Sequence, residues 1–191
     1  MTEKLYENDS LLQSCQATVV SCEKKEDHYE VILDRTVLFP EGGGQLSDQD
    51  KVPVFYASEE GPDVRHWTRE PLEPGKTVAV KLDWPVRLDR MQQHCGEHIL
   101  SYAFWKTCGA NNVGFHMNED SVFIDLDQEI DEEKAKKAEW MANECLWANE
   151  PISLHYLYAS ELGNHPLRKK NEKLKGTGRL VYIKNGDICT F

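Results

Sequence analysis

A chain of 191 residues, 40% hydrophobic and 29% charged, has the makings of a globular protein that buries a core without disulfide or metal staples. Its net charge of −11 excludes a broadly basic surface, so any polyanionic partner must be met by a local basic patch. No apolar run reaches the length of a membrane span, Met-Thr-Glu-Lys opens no signal peptide, and the six cysteines contain no C-x-x-C pair; a reducing cytoplasm is the expected setting.

In chain order, residues 17–21 (ATVVS) and 29–34 (YEVILD) alternate or run apolar and predict strands around a charged turn at 23–28. Residues 36–39 (TVLF) predict a further short strand before Pro40-Glu41-Gly42-Gly43-Gly44-Gln45 breaks any regular element. Strands are expected again at 52–56, 64–68 and 77–82, with turns at Gly61-Pro62 and Pro74-Gly75. Short strands punctuated in this way predict a small β-barrel over residues 1–85.

The period then turns helical over 90–107, with Asp89 as the expected N-cap and Gly109 as the stop. Residues 112–127 return to strand, with Val122, Phe123 and Ile124 as its core. Asp131 is expected to cap a second helix over 132–149. Its Ala135, Ala138, Ala142, Cys145 and Leu146 fall at helical spacing, and Pro151 follows. Strands are predicted at 152–158 and 179–183. Residues 86–191 therefore predict an α+β domain with helices packed on one face of an antiparallel sheet.

The strongest local signal is Gln92-Gln93-His94-Cys95-Gly96-Glu97-His98. His94 and His98, at i and i+4 of a helix, share one face with Cβ atoms about 5–6 Å apart. Two neutral imidazoles so placed both reach one Zn²⁺ at roughly 2.0–2.1 Å. The motif also reads as the H-x-x-E-H of inverted zinc proteases, with Glu97 as general base and Glu172 as the nominated third ligand. A second signal is Phe39 to Asp48, FPEGGGQLSD, whose three consecutive glycines suit a tight turn and a close approach of ligand or backbone. This loop is expected to lie against the histidine pocket, since ligand sites often form between domains. Arg168, Lys169, Lys170, Lys173, Lys175 and Arg179 make one basic cluster, which reads either as an anion-binding patch or as a solvated loop.

The FPEGGGQLSD string, the later MQQHCGEHILS at Met91 to Ser101 and GFHMNEDSVFIDLD at Gly114 to Asp127 occur in an order that resembles the alanyl-tRNA editing proteins. These are free-standing relatives of the editing domain of alanyl-tRNA synthetase, and the resemblance spans nearly the whole chain. It implies a glycine-rich β-barrel domain followed by an α+β editing domain with H-x-x-x-H and a later C-x-x-x-H. It also implies Zn²⁺ as cofactor and hydrolysis of the ester of alanine tRNA mischarged with serine or glycine. His94 and His98 are then the first two metal ligands. Gly42, Gly43 and Gly44 border the aminoacyl pocket with Gln93 and His116, and Glu97 and Gln45 are the candidate catalytic groups.

Two departures from the family pattern stand out. Glu97 occupies the position before the second histidine, where related editing domains carry threonine or a small polar residue. Counting from Asp187, the family's ligand cysteine falls nearer Phe191 than Cys189, and no later histidine follows. The expectation is a fragment of a longer protein, or a homologue with a degenerate metal site, either of them weak alone as a deacylase. Cys189 supplies a third ligand only if its strand lies close to the histidine helix. Beside the deacylase, the residues leave open the inverted protease and a non-catalytic tRNA-binding module.

Overall fold

The computed structural model describes residues 1–42, 44–48, 54–118, 120–158, 160, 161, 163, 165, 167, 168, 177–184 and 186–190. Among the described residues the elements follow one another as β1 (Glu3–Lys4), α1 (Leu5–Asn8), β2 (Ser14–Lys24), β3 (Tyr29–Leu33), β4 (Arg35–Thr36), β5 (Val54–Glu60), β6 (Asp63–Thr68), β7 (Thr77–Lys81), α2 (Trp84–Cys108), β8 (Asn112–Met117), β9 (Val122–Leu126), α3 (Glu132–Trp147), β10 (Ile152–Tyr158), β11 (Thr177–Ile183) and β12 (Ile188–Thr190). They divide into two compact units. Unit 1 holds Met1–Gln92 and His116–Ser121; unit 2 holds Gln93–Phe115 and Val122–Phe191. No described helix is long and apolar enough to cross a membrane.

Unit 1 is built on a five-stranded sheet of order β5-β6-β3-β2-β7, antiparallel throughout. Period-two patterning puts Ala17 and Val19 of β2, Val31 and Leu33 of β3, and Val80 of β7 on one buried face. Val37, Leu38, Val54 and Leu82 complete that core. Among the described residues β5 and β7 end the sheet without pairing to each other, so closure of the small β-barrel that the strand spacing predicts is not found among them. Residues 36–39 do not extend as a strand either. Only Arg35–Thr36 pairs, with β1, and the backbone that follows is bound by side chains instead.

Unit 2 packs two helices on the sheet β10-β11-β12. Ile99 and Ala103 of α2 and Ala138 and Ala142 of α3 meet Val181 and Ile183 of β11 and Cys189 of β12. The small alanines on α3 let the helix approach the sheet closely. Asp131 caps α3 by accepting a hydrogen bond from the Lys134 N–H at 2.8 Å, and Glu132 and Glu133 favour the positive end of its dipole.

Helix α2 begins at Trp84, earlier than the sequence suggests, so Asp89 lies inside it rather than at its cap. Pro85 explains the difference: its fixed φ and missing N–H are harmless in a first helical turn. Gly109, at φ +71°, ends the helix in the left-handed conformation that glycine adopts at least cost. Residues 112–127 form two paired strands, β8 and β9, rather than one. Phe123 is more than half exposed, so the expected core at 122–124 is not buried.

Candidate metal centre

Helix α2 places His94 and His98 side by side. Their Nε2 atoms are 3.2 Å apart and their rings 4.8 Å apart, centroid to centroid. Phe115, on β8, stacks on His94 at 5.5 Å with ring planes 19° apart. Burial lowers the His94 pKa from the usual 6.5 to about 4, helped by the nearby His98 and the Arg179 guanidinium, so this imidazole is neutral at physiological pH. Two nitrogens each about 2.05 Å from a tetrahedral zinc stand roughly 3.3 Å apart, close to the separation found here.

Glu97 is 7% exposed, which rules out a solvated helix residue. Its Oε1 accepts from the Ser101 hydroxyl at 2.6 Å and from the Asn112 amide at 2.5 Å. Asn112 also donates to Ser101 at 2.8 Å and accepts from the Gly114 N–H at 2.9 Å. The other oxygen, Oε2, lies 3.6 Å from His98 Nδ1. Ser101 is i+4 from Glu97 on the same helix, so one turn of α2 carries both the carboxylate and half of its cradle.

A second carboxylate reaches His98 from the β11–β12 connection. Asp187 is fully buried, with Oδ2 3.5 Å from His98 Nδ1. Arg168 grips it with both arms, Nε to Oδ1 at 3.1 Å and Nη2 to Oδ2 at 2.7 Å. Burial pushes the Asp187 carboxyl up, but the neighbouring His98 and the Arg168 guanidinium outweigh it and hold the group below its usual range. Cys189, two residues on, is buried and pushed up to about 12, first by burial and then by the Asp187 charge. Among the described residues two groups of potential ligands result: His94 with Glu97 and His98, and His98 with Asp187 and Cys189. The ligand atoms of each group lie within 4.8 Å of one another.

The glycine-rich segment belongs to unit 1. Gly42 and Gln45 exchange both backbone hydrogen bonds, N to O at 3.2 and 3.0 Å, closing a tight turn. Gly44 sits at φ +84°, which only glycine adopts without strain, and its carbonyl accepts from the Met117 N–H at 3.2 Å. The framing residues are fixed by Asp48, which accepts from the Phe39 N–H at 2.6 Å and from Arg87 Nε at 2.8 Å. Arg87 also donates to the Val37 carbonyl at 2.7 Å. Gly43 lies outside the described residues.

Within unit 2 the structure brings His94, Glu97 and His98 into one group and His98, Asp187 and Cys189 into another, whereas Gly42, Gly44, Gln45 and His116 belong to unit 1. Gln93 and His116 are exposed. Arg168 leaves the expected basic cluster: it is paired with Asp187 and its side chain is only 8% exposed. Arg179 lies half-buried on β11, and Lys169, Lys170, Lys173, Lys175 and Glu172 fall outside the described residues. Sequence reasoning missed Asp187, Arg168, Asn112 and Ser101. The i, i+4 relation of Glu97 and Ser101 was readable; the other pairings join distant segments.

A histidine pair on a helix, backed by buried carboxylates and seated on an antiparallel sheet, defines an α+β protein with a site able to hold a divalent metal. The curated relatives narrow this class. Alanyl-tRNA editing protein AlaX-L of Pyrococcus horikoshii is 31% identical over 199 residues, covering 98% of this chain and 49% of that protein. Alanyl-tRNA editing protein Aarsd1 of Danio rerio is 31% identical over 199 residues, covering 95% and 48%. Alanyl-tRNA editing protein AlaX-M of Methanosarcina barkeri is 30% identical over 191 residues, covering 92% and 77%. The chain belongs to the alanyl-tRNA editing proteins. It spans about half the length of the first two of these relatives. No family model matches it.

Proposed function

We propose that this chain carries a zinc-dependent trans-editing deacylase, which hydrolyses the aminoacyl ester of alanine tRNA mischarged with serine or glycine. The observation that carries the reading is the facing pair of imidazole nitrogens at 3.2 Å, one of them on a histidine that burial keeps neutral. Neutral imidazole is the form that ligates, so His94 needs no deprotonation before binding. His94 and His98 would hold the ion; Cys189, which groups with His98 and Asp187 rather than with His94, is the proposed third donor. Zinc held there would supply Lewis-acid polarisation of the ester carbonyl or an activated water.

The remaining roles fall to the chain's own groups. Glu97 acts as the catalytic carboxylate, aimed by the two donors on Oε1. A charged group held this way loses little orientational freedom on the way to the transition state. Gln45, Gln93 and His116 with the glycine turn are assigned to the aminoacyl end of the substrate, and Arg179 with the lysines at 169, 170, 173 and 175 to the tRNA backbone. A reducing, cytoplasmic setting is part of the same proposal.

The test is a deacylation assay on alanine tRNA charged with serine, glycine or alanine, with the zinc content of the same preparation measured. Hydrolysis of the serine or glycine ester, sparing the alanine ester and lost with chelation, is the expected result. Metal-free protein that binds tRNA without hydrolysing any ester would replace this reading with a binding module.

A further inference from the structure

The His98 ring has two distinct faces. Its Nε2 points at His94, and its Nδ1 points at Asp187 Oδ2 and Glu97 Oε2, at 3.5 and 3.6 Å. Only one nitrogen of a neutral imidazole carries the proton, and the partner of one nitrogen decides what the other can do. Carboxylates accept and never donate when ionised, so they draw the proton to Nδ1 and leave the Nε2 lone pair facing His94. The two carboxylates differ in how they are held. Glu97 is the helix neighbour of His98 and its Oε1 is committed to Ser101 and Asn112. Asp187 arrives from another element, is fully buried, and is fixed by the two-armed grip of Arg168 and by the Ile188 N–H at 3.0 Å.

We propose that Asp187, clamped by Arg168, is the positioning residue that fixes His98 with its proton on Nδ1 and its Nε2 lone pair turned toward His94. Burying a carboxylate and a guanidinium costs several kcal/mol per ion before their attraction is counted. A hairpin connection alone does not require that pair, because apolar side chains would close it as well. Oδ1 is taken by Arg168 and Ile188 and Oδ2 by Arg168, with His98 Nδ1 3.5 Å from Oδ2, so this carboxylate is held where it can orient the ligand. The inference rests on the proposed function only in taking His98 as a ligand.

The experiment is a long-range proton–nitrogen correlation spectrum of the histidine rings in the metal-free chain, paired with a Zn²⁺ titration. Wild type is expected to show His98 as a single Nδ1–H tautomer. Asp187→Ala removes the acceptor, and should that variant fail to fold, Asp187→Asn keeps the shape. An amide has one oxygen, which Arg168 claims, so its NH₂ faces His98 and drives the proton to Nε2. The expected result in either variant is loss of the Nδ1–H state and a zinc affinity about 10- to 100-fold weaker, the usual cost of losing an outer-shell partner. Glu97→Gln should leave the tautomer as it is. An unchanged tautomer or an unchanged affinity in the Asp187 variants overturns the proposal, as does a tautomer that follows Glu97→Gln instead. If wild type binds no zinc, the functional reading fails separately, and the tautomer alone decides the role of Asp187.

Discussion

Each unit holds a histidine whose pKa is lowered to about 4, the fully buried His66 in unit 1 and the half-buried His94 in unit 2, in both cases chiefly by loss of solvent. Around His66 every polar group is matched. Its Nδ1–H donates to the Val31 carbonyl at 3.2 Å, and its Nε2 accepts from the Thr36 hydroxyl at 2.9 Å. Thr36 in turn accepts from the Leu38 N–H at 3.1 Å. Around His94 the neighbours include an aromatic ring and a second imidazole, whose Nε2 lies 3.2 Å from its own. A shifted pKa therefore does not mark a functional histidine by itself. What distinguishes the two is the neighbour at Nε2, a threonine hydroxyl for His66 and a second imidazole for His94.

Substitution of the proposed ligand pair should separate the two sites most sharply. In the double variant His94→Ala/His98→Ala, zinc affinity is expected to fall by far more than the roughly 100-fold that loss of an outer-shell partner costs. His66→Ala should leave zinc affinity unchanged and lower the unfolding free energy instead, by about 3 kcal/mol for a buried ring and two hydrogen bonds. Calorimetric zinc titration beside urea denaturation reads both quantities. If His66→Ala weakens zinc as strongly as the double variant does, the contrast is wrong.

Next in size is the carboxylate. Glu97→Gln keeps the shape and an acceptor for Ser101 and Asn112 but removes the charge, so kcat for the serine ester should drop about 100-fold or more, as for loss of a general base. Asn112→Ala should cost less, about 10-fold in kcat, because Ser101 still holds Oε1; leaving one donor missing costs on the order of 1–2 kcal/mol. Single-turnover deacylation measures both. An Asn112→Ala enzyme slower than Glu97→Gln would mean that the cradle itself, not the carboxylate, touches the substrate.

These residues also show where the sequence is legible. His94 and His98, Asp131 as a cap, and the small-residue stripe Ala138 and Ala142 are i, i+3 or i, i+4 relations, which helix geometry fixes within one turn. Short strands with glycine and proline turns likewise reveal the β character of residues 1–85. Closure into a barrel is a property of strand order and pairing across the sheet, which local patterning does not encode, and the described strands leave that sheet open. Asp48 with Arg87 and Asp187 with Arg168 are ion pairs joining positions 39 and 19 residues apart. Nothing in the spacing of such residues announces a partner. Arg168 even looked like part of a solvated basic cluster, because its neighbours in sequence are lysines while its neighbour in space is a buried aspartate.

The smallest expected effect concerns pH and uses His66 as its probe. A histidine with a folded pKa near 4 and an unfolded pKa near 6.5 stays neutral in the folded protein while the unfolded chain takes up a proton. Stability from this group is present above pH 6.5, is lost as pH falls toward 4, and changes little below that. Between pH 7 and pH 5 the loss is about 2 kcal/mol, from the difference in proton uptake at one site. His94 contributes in the same direction over the same window. His66→Phe should therefore flatten the wild-type dependence of unfolding free energy on pH by about half of the two-histidine effect, whatever it does to stability at pH 7. Zinc separates the remaining part: because protons compete with the metal for its ligands, added zinc should steepen the slope left in His66→Phe. The same addition should leave unchanged the slope left in His94→Phe/His98→Phe, where His66 is still present. Equal responses of the two variants to zinc would show that metal binding reaches the matched histidine as well, and the distinction between a satisfied imidazole and a facing pair would lose its physical basis.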